Sequence, residues 1–190
     1  MIKRIAKLII LLICLFIIGV PPMYGATEKE VTELFAESQQ LCLATLRKCE
    51  FRIITVDLPL AYTQGTAITV GSGVYTRLTK DELRGVIYHE TAHAILNHSN
   101  KTKDYINNFR VKYGREITPA EAQNYKYKME DDADALAVAM LVWTKHPMLL
   151  DEALIKITGP YKATQASWTH PSVQYRVNRI RTINKKLRGF

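Results

Sequence analysis

Residues 89–93 of the chain read His89-Glu90-Thr91-Ala92-His93. On a helix, positions four apart lie on the same face, so the imidazoles of His89 and His93 can share one metal ion. The carboxylate of Glu90 can then accept a proton from an attacking water. The alternative is a set of unrelated surface side chains, and the surrounding sequence has to decide between the two.

Helix signals surround the pentapeptide. Thr79 and Glu82 form a capping box, and apolar residues then recur at helical spacing, which predicts an amphipathic helix over about 80–97. Gly85 lacks a side chain one turn before His89 and could leave room there for a cleft. His98 falls about 180° around this helix from His89. We therefore expect His98 to point away from the metal, as a surface or packing histidine.

A second helix can supply a third ligand. Residues 118–121 combine a capping threonine, a proline and a box glutamate, which predicts a helix start. Further along, Glu130 and Asp134 are again four residues apart, so one carboxylate can bind the metal while the other orients a ligand histidine. The apolar run over residues 135–143 follows at once. Because buried carboxylates need partners, this context favours a metal site over a solvated acidic face.

These motifs, together with Thr169-His170-Pro171 and Arg176, resemble the HtpX and CAAX-prenyl-endopeptidase family of zinc metallopeptidases. The resemblance covers roughly residues 55–180. It implies an α+β, mainly helical, zincin-like fold with a small antiparallel sheet beside the metal-binding helix. It also implies a gluzincin site in which one Zn²⁺ per chain is held by His89, His93 and Glu130.

The same resemblance implies further roles in the site. Glu90 is the expected general base, and His170 is expected to stabilise the oxyanion. For His170, packing against Trp168 or capping the last helix is the alternative. Asp134 would fix the tautomer of a ligand histidine. Arg176 would orient Asp134 or His170, or bind a surface carboxylate.

Residues 60–65 and 68–70 resemble the family's edge-strand hairpin, which lies beside the bound peptide. An extended substrate is expected to pair there through main-chain atoms with Ala61, Tyr62 and Thr63. Leu60 stands where the family usually has an asparagine, and the interval between His93 and Glu130 is short. Substrate preferences therefore do not carry over from the family.

The first 26 residues have the layout of a secretory signal peptide. Basic residues precede an apolar stretch over residues 8–20, which Pro21 ends. That stretch is short for a membrane span, although an uncleaved anchor is the alternative. Either reading predicts an exported protein, periplasmic or secreted, in which residues 27–190 form a single domain.

Cys42 and Cys49 remain in this domain. In one continuous helix they would lie ~10 Å apart, beyond disulfide reach. If the helix ends near Arg47, the chain can fold back and bridge them, which the even count in an exported protein favours.

The chain carries a formal net charge of +8, concentrated near its end. A terminal helix over about 172–187 with a solvated basic face accounts for that charge, and contact with an anionic membrane surface is the alternative. Because no aromatic residues are interleaved with the basic ones, we expect no nucleic-acid partner.

The sequence as a whole predicts a zinc metalloendopeptidase that acts on unfolded or envelope polypeptides. The rival interpretation is a non-catalytic, zinc-containing binding or chaperone-like assembly factor. In that protein, a polar connection over 99–117 or His170 would plug the site. Intact Glu90 argues against the rival, because loss of this carboxylate is the simplest way to silence such an enzyme.

Overall fold

The computed structural model describes residues 25–159 and 166–189. The predicted signal segment lies outside them apart from its last two residues. Among the described residues, no helix combines the length and the apolar character that crossing a membrane requires.

Seven helices and three short strands follow one another along the described chain. They are α1 (Glu28–Ala44), β1 (Glu50–Ile54), β2 (Ala61–Gln64), β3 (Ala67–Gly71), α2 (Ser72–Tyr75), α3 (Lys80–Leu96), α4 (His98–Tyr113), α5 (Pro119–Trp143), α6 (Leu150–Thr158) and α7 (Val173–Arg188). The fold is therefore mainly helical with a small sheet, as predicted.

The sheet has the order β1-β3-β2 and is mixed. β2 and β3 form the predicted antiparallel hairpin through a turn at Gly65, with Ala61 opposite Val70. β1 runs parallel to β3, so the expectation of an antiparallel sheet is wrong for this pair. β3 lies between β1 and β2 in the sheet, although it is the last of the three strands along the chain. β2 is consequently an edge strand with one hydrogen-bonding side not paired to any described strand.

Helix α3 runs through the centre of the molecule. One apolar cluster joins it to α1 and the sheet, with Leu34 packed near Ile87. A second cluster joins it to α5, α6 and α7 and includes Ala92 and Ile180. The capping box of Thr79 begins α3 as predicted. Because apolar residues cover several sides of this helix, its polar side chains also lie in a largely dry environment.

The close approach of α6 to α3 explains Gly85. A Cβ atom added at Gly85 would lie 3.0 Å from the Cα atom of Leu150. The first residue of α6 therefore fills the space next to this glycine, and the expectation that Gly85 leaves room for a cleft is wrong.

Two segments differ from or sharpen the sequence-based expectations. The predicted polar connection over 99–117 is largely helix α4, whose Tyr105 stacks on Tyr125 of α5 with ring centroids 3.8 Å apart. Helix α1 ends at Ala44, and the chain folds back so that Cys42 and Cys49 are bridged, with Cα atoms 6.1 Å apart. The predicted disulfide is thus present.

Candidate metal centre

Three predicted ligands converge where α3 faces α5. The Nε2 atoms of His89 and His93 are 3.1 Å apart. The carboxylate of Glu130 lies 3.5 Å from His89 Nε2 and 3.3 Å from His93 Nε2. Small residues such as Ala92 and Ala133 let the two helices pack closely enough for this. The three groups each offer one donor atom within 4.8 Å of the others, so a single ion can contact all of them.

The environment of the Glu130 carboxylate suits a bound cation. Its side chain is buried, and its Oε2 atom accepts no hydrogen bond from the described residues. Arg176 Nη1 at 3.5 Å and His170 Nε2 at 3.6 Å are near it but beyond normal hydrogen-bond distance. A buried carboxylate oxygen without a donor is costly, and a metal ion at the point of convergence would satisfy it.

The second nitrogen of His89 is held by a buried ion pair. His89 Nδ1 lies 2.9 Å from Asp134 Oδ1. Arg176 donates to the same carboxylate from Nε at 2.9 Å and from Nη2 at 2.6 Å. Burial alone would raise the pKa of Asp134, but the charge of Arg176 lowers it to about 2. Asp134 therefore stays ionised and orients the ring of His89 so that its Nε2 atom points into the centre.

Burial and nearby charges also shift the ligand candidates. Burial and the charge of Arg176 lower the pKa of His89, but contacts with Asp134 and Glu130 outweigh them and raise it to about 10. Burial would raise the pKa of Glu130, whereas the adjacent His89 and His93 hold it well below its usual range. Glu130 therefore stays ionised and presents a carboxylate from α5 to a bound cation.

The second nitrogen of His93 faces His98. The Nδ1 atoms of the two rings are 3.0 Å apart, and His98 is buried. The expectation that His98 points away is wrong, because α3 ends before it: Asn97 has a left-handed φ of 57° and turns the chain back. Burial, with the charge of His93, lowers the pKa of His98 to about 4. A neutral His98 can accept the Nδ1 proton of His93.

The side chain of Thr63 on the edge strand β2 contacts Glu90. Thr63 Oγ1 lies 2.8 Å from both the main-chain oxygen and the Oε2 atom of Glu90. Thr63 was predicted to contact substrate through its main chain, and this side-chain contact is one that the sequence did not reveal. Ala61 and Tyr62 lie on the same strand, and Tyr62 is exposed.

His170 stands at the rim of the centre. Its Nδ1 atom is 2.7 Å from the Thr169 hydroxyl. Trp168 lies under Lys126, whose Nζ is 5.1 Å from the indole ring, and Ser172 caps α7. A capping role for His170 is thus wrong, and the structure brings it near Glu130.

Residues 26–113 match a sequence model of peptidase family M48. Over this stretch the chain is similar to peptidase family M48. The predicted resemblance is confirmed at that level, and the match supports a metallopeptidase function in general, while the HtpX-like subtype stays a prediction. No curated protein matches the chain. The matched M48 segment holds Glu90, both histidines of the centre and the edge strand, whereas Glu130 and the residues after it lie beyond the match.

Proposed function

We propose that this protein is a zinc-dependent metalloendopeptidase that hydrolyses unfolded or envelope polypeptides outside the cytoplasm. The convergence of His89, His93 and Glu130 around one point, with Glu90 and His89 lining one cavity, carries the proposal. Ligand atoms at tetrahedral positions ~2.1 Å from a zinc ion are about 3.4 Å apart. The observed separations of 3.1, 3.3 and 3.5 Å suit that geometry.

The chain's own residues then divide the work of hydrolysis. Zn²⁺ held by His89, His93 and Glu130 would supply a Lewis acid that makes the attacking water more acidic. Glu90 accepts a proton from the attacking water and delivers it to the leaving nitrogen, and the Thr63 hydroxyl holds its carboxylate in place. The imidazole of His170 donates a hydrogen bond to the oxyanion from Nε2, with Nδ1 bonded to Thr169.

The edge strand supports a polypeptide substrate. β2 passes alongside α3 at Glu90, so a chain that pairs with the open side of β2 runs past the proton acceptor. Main-chain pairing is tolerant of sequence, which favours extended or unfolded polypeptides. The Cys42–Cys49 bridge and the apolar stretch over residues 8–20 support a location outside the cytoplasm.

Degradation of casein by the zinc-loaded protein tests the proposal. Glu90→Gln, loaded with the same amount of zinc, is the matched control because it keeps the ligands and removes the base. We expect the parent to cleave and the variant to lose at least about a hundredfold in rate. Equal cleavage by both proteins would mean a contaminating protease and would remove the support for Glu90.

The second candidate is a zinc-containing binding or chaperone-like assembly factor. The position of His170 favours it, since its Nε2 atom lies 3.6 Å from Glu130 Oε2, so His170 could serve as a further ligand and leave no place for water. If the parent and Glu90→Gln each bind one zinc and neither cleaves, His170→Ala distinguishes the candidates. Activity gained by this variant would identify a plugged peptidase, and continued inactivity with retained zinc would favour the binding factor.

A further inference from the structure

One face of α5 carries polar side chains beyond the metal ligand. Four of them follow one another at intervals of four, three and four residues, namely Gln123, Tyr127, Glu130 and Asp134. At this spacing the four side chains share one face of the helix. Glu130 and Asp134 belong to the candidate metal centre, whereas Gln123 and Tyr127 lie toward the start of α5 and are half-buried. The same surface of α5 therefore continues past the centre with two further hydrogen-bonding groups.

These two groups contact the segment that contains His170. The Tyr127 hydroxyl donates to the main-chain oxygen of Ser167 at 2.7 Å, and Gln123 Nε2 donates to the same oxygen at 3.3 Å. Residues 166–172 form neither helix nor strand, so a regular ladder of main-chain hydrogen bonds does not fix them. The position of this segment therefore depends on side-chain contacts such as those from α5.

Ser167 links the contact with α5 to His170. Its Oγ atom accepts hydrogen bonds from the main-chain N–H groups of His170 at 2.9 Å and of Thr169 at 3.3 Å. The main-chain N–H of Ser167 in turn donates to the main-chain oxygen of His170 at 2.9 Å. These bonds close a tight turn over residues 167–170. The backbone of His170 is thus held through one hydroxyl by the helix that carries Glu130.

The turn also orients the imidazole of His170. Thr169 Oγ1 lies 2.7 Å from Nδ1, and Nε2 lies 3.6 Å from Glu130 Oε2. Because the side chain of His170 is 50% exposed, packing contributes little to this orientation. Holding an exposed ring in one direction costs conformational entropy, and the hydrogen bonds of the turn offset part of that cost.

We propose that Tyr127 and Ser167 are positioning residues that hold the imidazole of His170 beside the metal centre. This inference rests on the proposed function, in which His170 stabilises the oxyanion. In that function α5 carries both a metal ligand and, one turn earlier, the anchor of the oxyanion donor. Misplacement of a reacting group by about 1 Å can cost about a hundredfold in rate, so the anchor is expected to act on kcat.

Removal of single hydroxyl groups tests the positioning role. Tyr127→Phe and Ser167→Ala are assayed with a fluorogenic peptide taken from a casein cleavage site. Tyr125→Phe is the matched control, because the Tyr125 hydroxyl contacts Lys101 O on α4 at 3.4 Å instead. We expect kcat to fall about threefold to tenfold in the two variants, with KM and zinc affinity unchanged, and to stay parental in the control. Ser167→Thr keeps the hydroxyl and should retain most of the parental kcat.

Combination with His170→Ala shows whether the two residues act through the imidazole. His170→Ala alone should lower kcat about a hundredfold, as loss of an oxyanion donor does. If Tyr127 and Ser167 act through His170, neither substitution lowers kcat further in the His170→Ala protein. Full additivity of the losses would overturn the inference, because the two hydroxyls would then act on another group.

A second readout needs no turnover. Cobalt(II) in place of zinc is paramagnetic and shifts the NMR signals of nearby groups by an amount that falls steeply with distance. With isotope-labelled histidine, the imidazole signal of His170 should be strongly shifted in the cobalt-loaded protein, and His170→Ala identifies it. Tyr127→Phe and Ser167→Ala should reduce this shift, whereas Tyr125→Phe should not. An equal shift in all four proteins, or no shift in the parent, would overturn the inference.

Failure of the inference and failure of the proposed function give different results. A shift that is reduced in both variants, without cleavage by any of the proteins, would keep the positioning role and remove the peptidase. Cleavage with parental kcat in both variants would keep the peptidase and overturn the positioning role. Thermal unfolding checks that each variant folds. If Tyr127→Phe does not, Gln123→Ala removes the other donor to Ser167 O and should lower kcat in the same direction.

Discussion

The two histidines of the centre lie one turn apart on α3, yet their surroundings differ. His89 is buried against the ionised Asp134, and Arg176 donates to the same Asp134 oxygen that His89 contacts. The side chain of His93 is 15% exposed and faces the neutral His98. An anionic partner strengthens the donor nitrogen of a ligand histidine more than a neutral partner does. His89 is therefore oriented by charged residues that are distant in sequence. His93 is oriented by its near neighbour His98 through a neutral hydrogen bond.

The largest effect should follow from Asp134→Asn. This change removes the closer ion-pair partner of the buried Arg176 and leaves it only Glu130 at 3.5 Å, which costs on the order of 3–5 kcal/mol of unfolding free energy. It also weakens the hold on His89, so zinc affinity should fall about 10- to 100-fold. Urea unfolding and competition with a zinc chelator measure the two effects. Unchanged zinc affinity would show that Asp134 serves packing alone.

The double change Asp134→Leu with Arg176→Met separates stability from metal binding. Replacing both members of a buried pair by apolar residues often restores stability. We expect an unfolding free energy within about 1–2 kcal/mol of the parent, while zinc affinity stays as low as in Asp134→Asn. Recovery of both properties would mean that His89 needs no anionic partner, and the contrast between the two histidines would lose its basis.

His98→Ala should have a smaller effect, since the lost partner is neutral. We expect zinc affinity to fall about tenfold with little change in unfolding free energy. His98→Asn should restore part of the affinity, because its amide oxygen can accept the Nδ1 proton of His93. A loss as large as that of Asp134→Asn would show that the two sides contribute equally.

Thr63→Val should have the smallest effect and should spare the metal. The change keeps the shape and removes the hydroxyl that contacts Glu90, so kcat should fall about threefold to tenfold with zinc affinity and KM unchanged. Thr63→Ser is the control and should keep the parental kcat. A rise in KM alone would assign Thr63 to substrate pairing instead of to Glu90.

The contrast between the histidines also explains how far the sequence alone could lead. The relation of His89 to His93 depends on helix geometry, and the capping box at Thr79 marks where that helix begins. Glu130 could be predicted because it shares a face with Asp134 ahead of an apolar run. The contact of His98 with His93 could not be predicted, because a helix that continues through Asn97 would place His98 on the opposite face. An asparagine tolerates the left-handed conformation, so Asn97 was the available signal for the helix end.

Other features depend on contacts between distant segments. The parallel pairing of β1 with β3 depends on the path of the chain between these two strands, and no local sequence pattern predicts that path. The helix α4 has a polar sequence, and its aromatic residues find their partner only when Tyr105 meets Tyr125. The contact of the Thr63 hydroxyl with the Glu90 carboxylate likewise depends on the approach of β2 to α3, which no local sequence pattern predicts.

Gly85 also bears on attempts to make the protein more heat-resistant. Glycine inside a helix is a usual target for replacement by alanine, which raises intrinsic helix stability by up to about 1 kcal/mol. At Gly85 the new methyl group would push α6 outward, and with it Leu150, Leu154 and Ile157, which line the cavity next to Glu90. A substitution chosen for durability would therefore be expected to change the shape of the cavity beside the candidate metal centre.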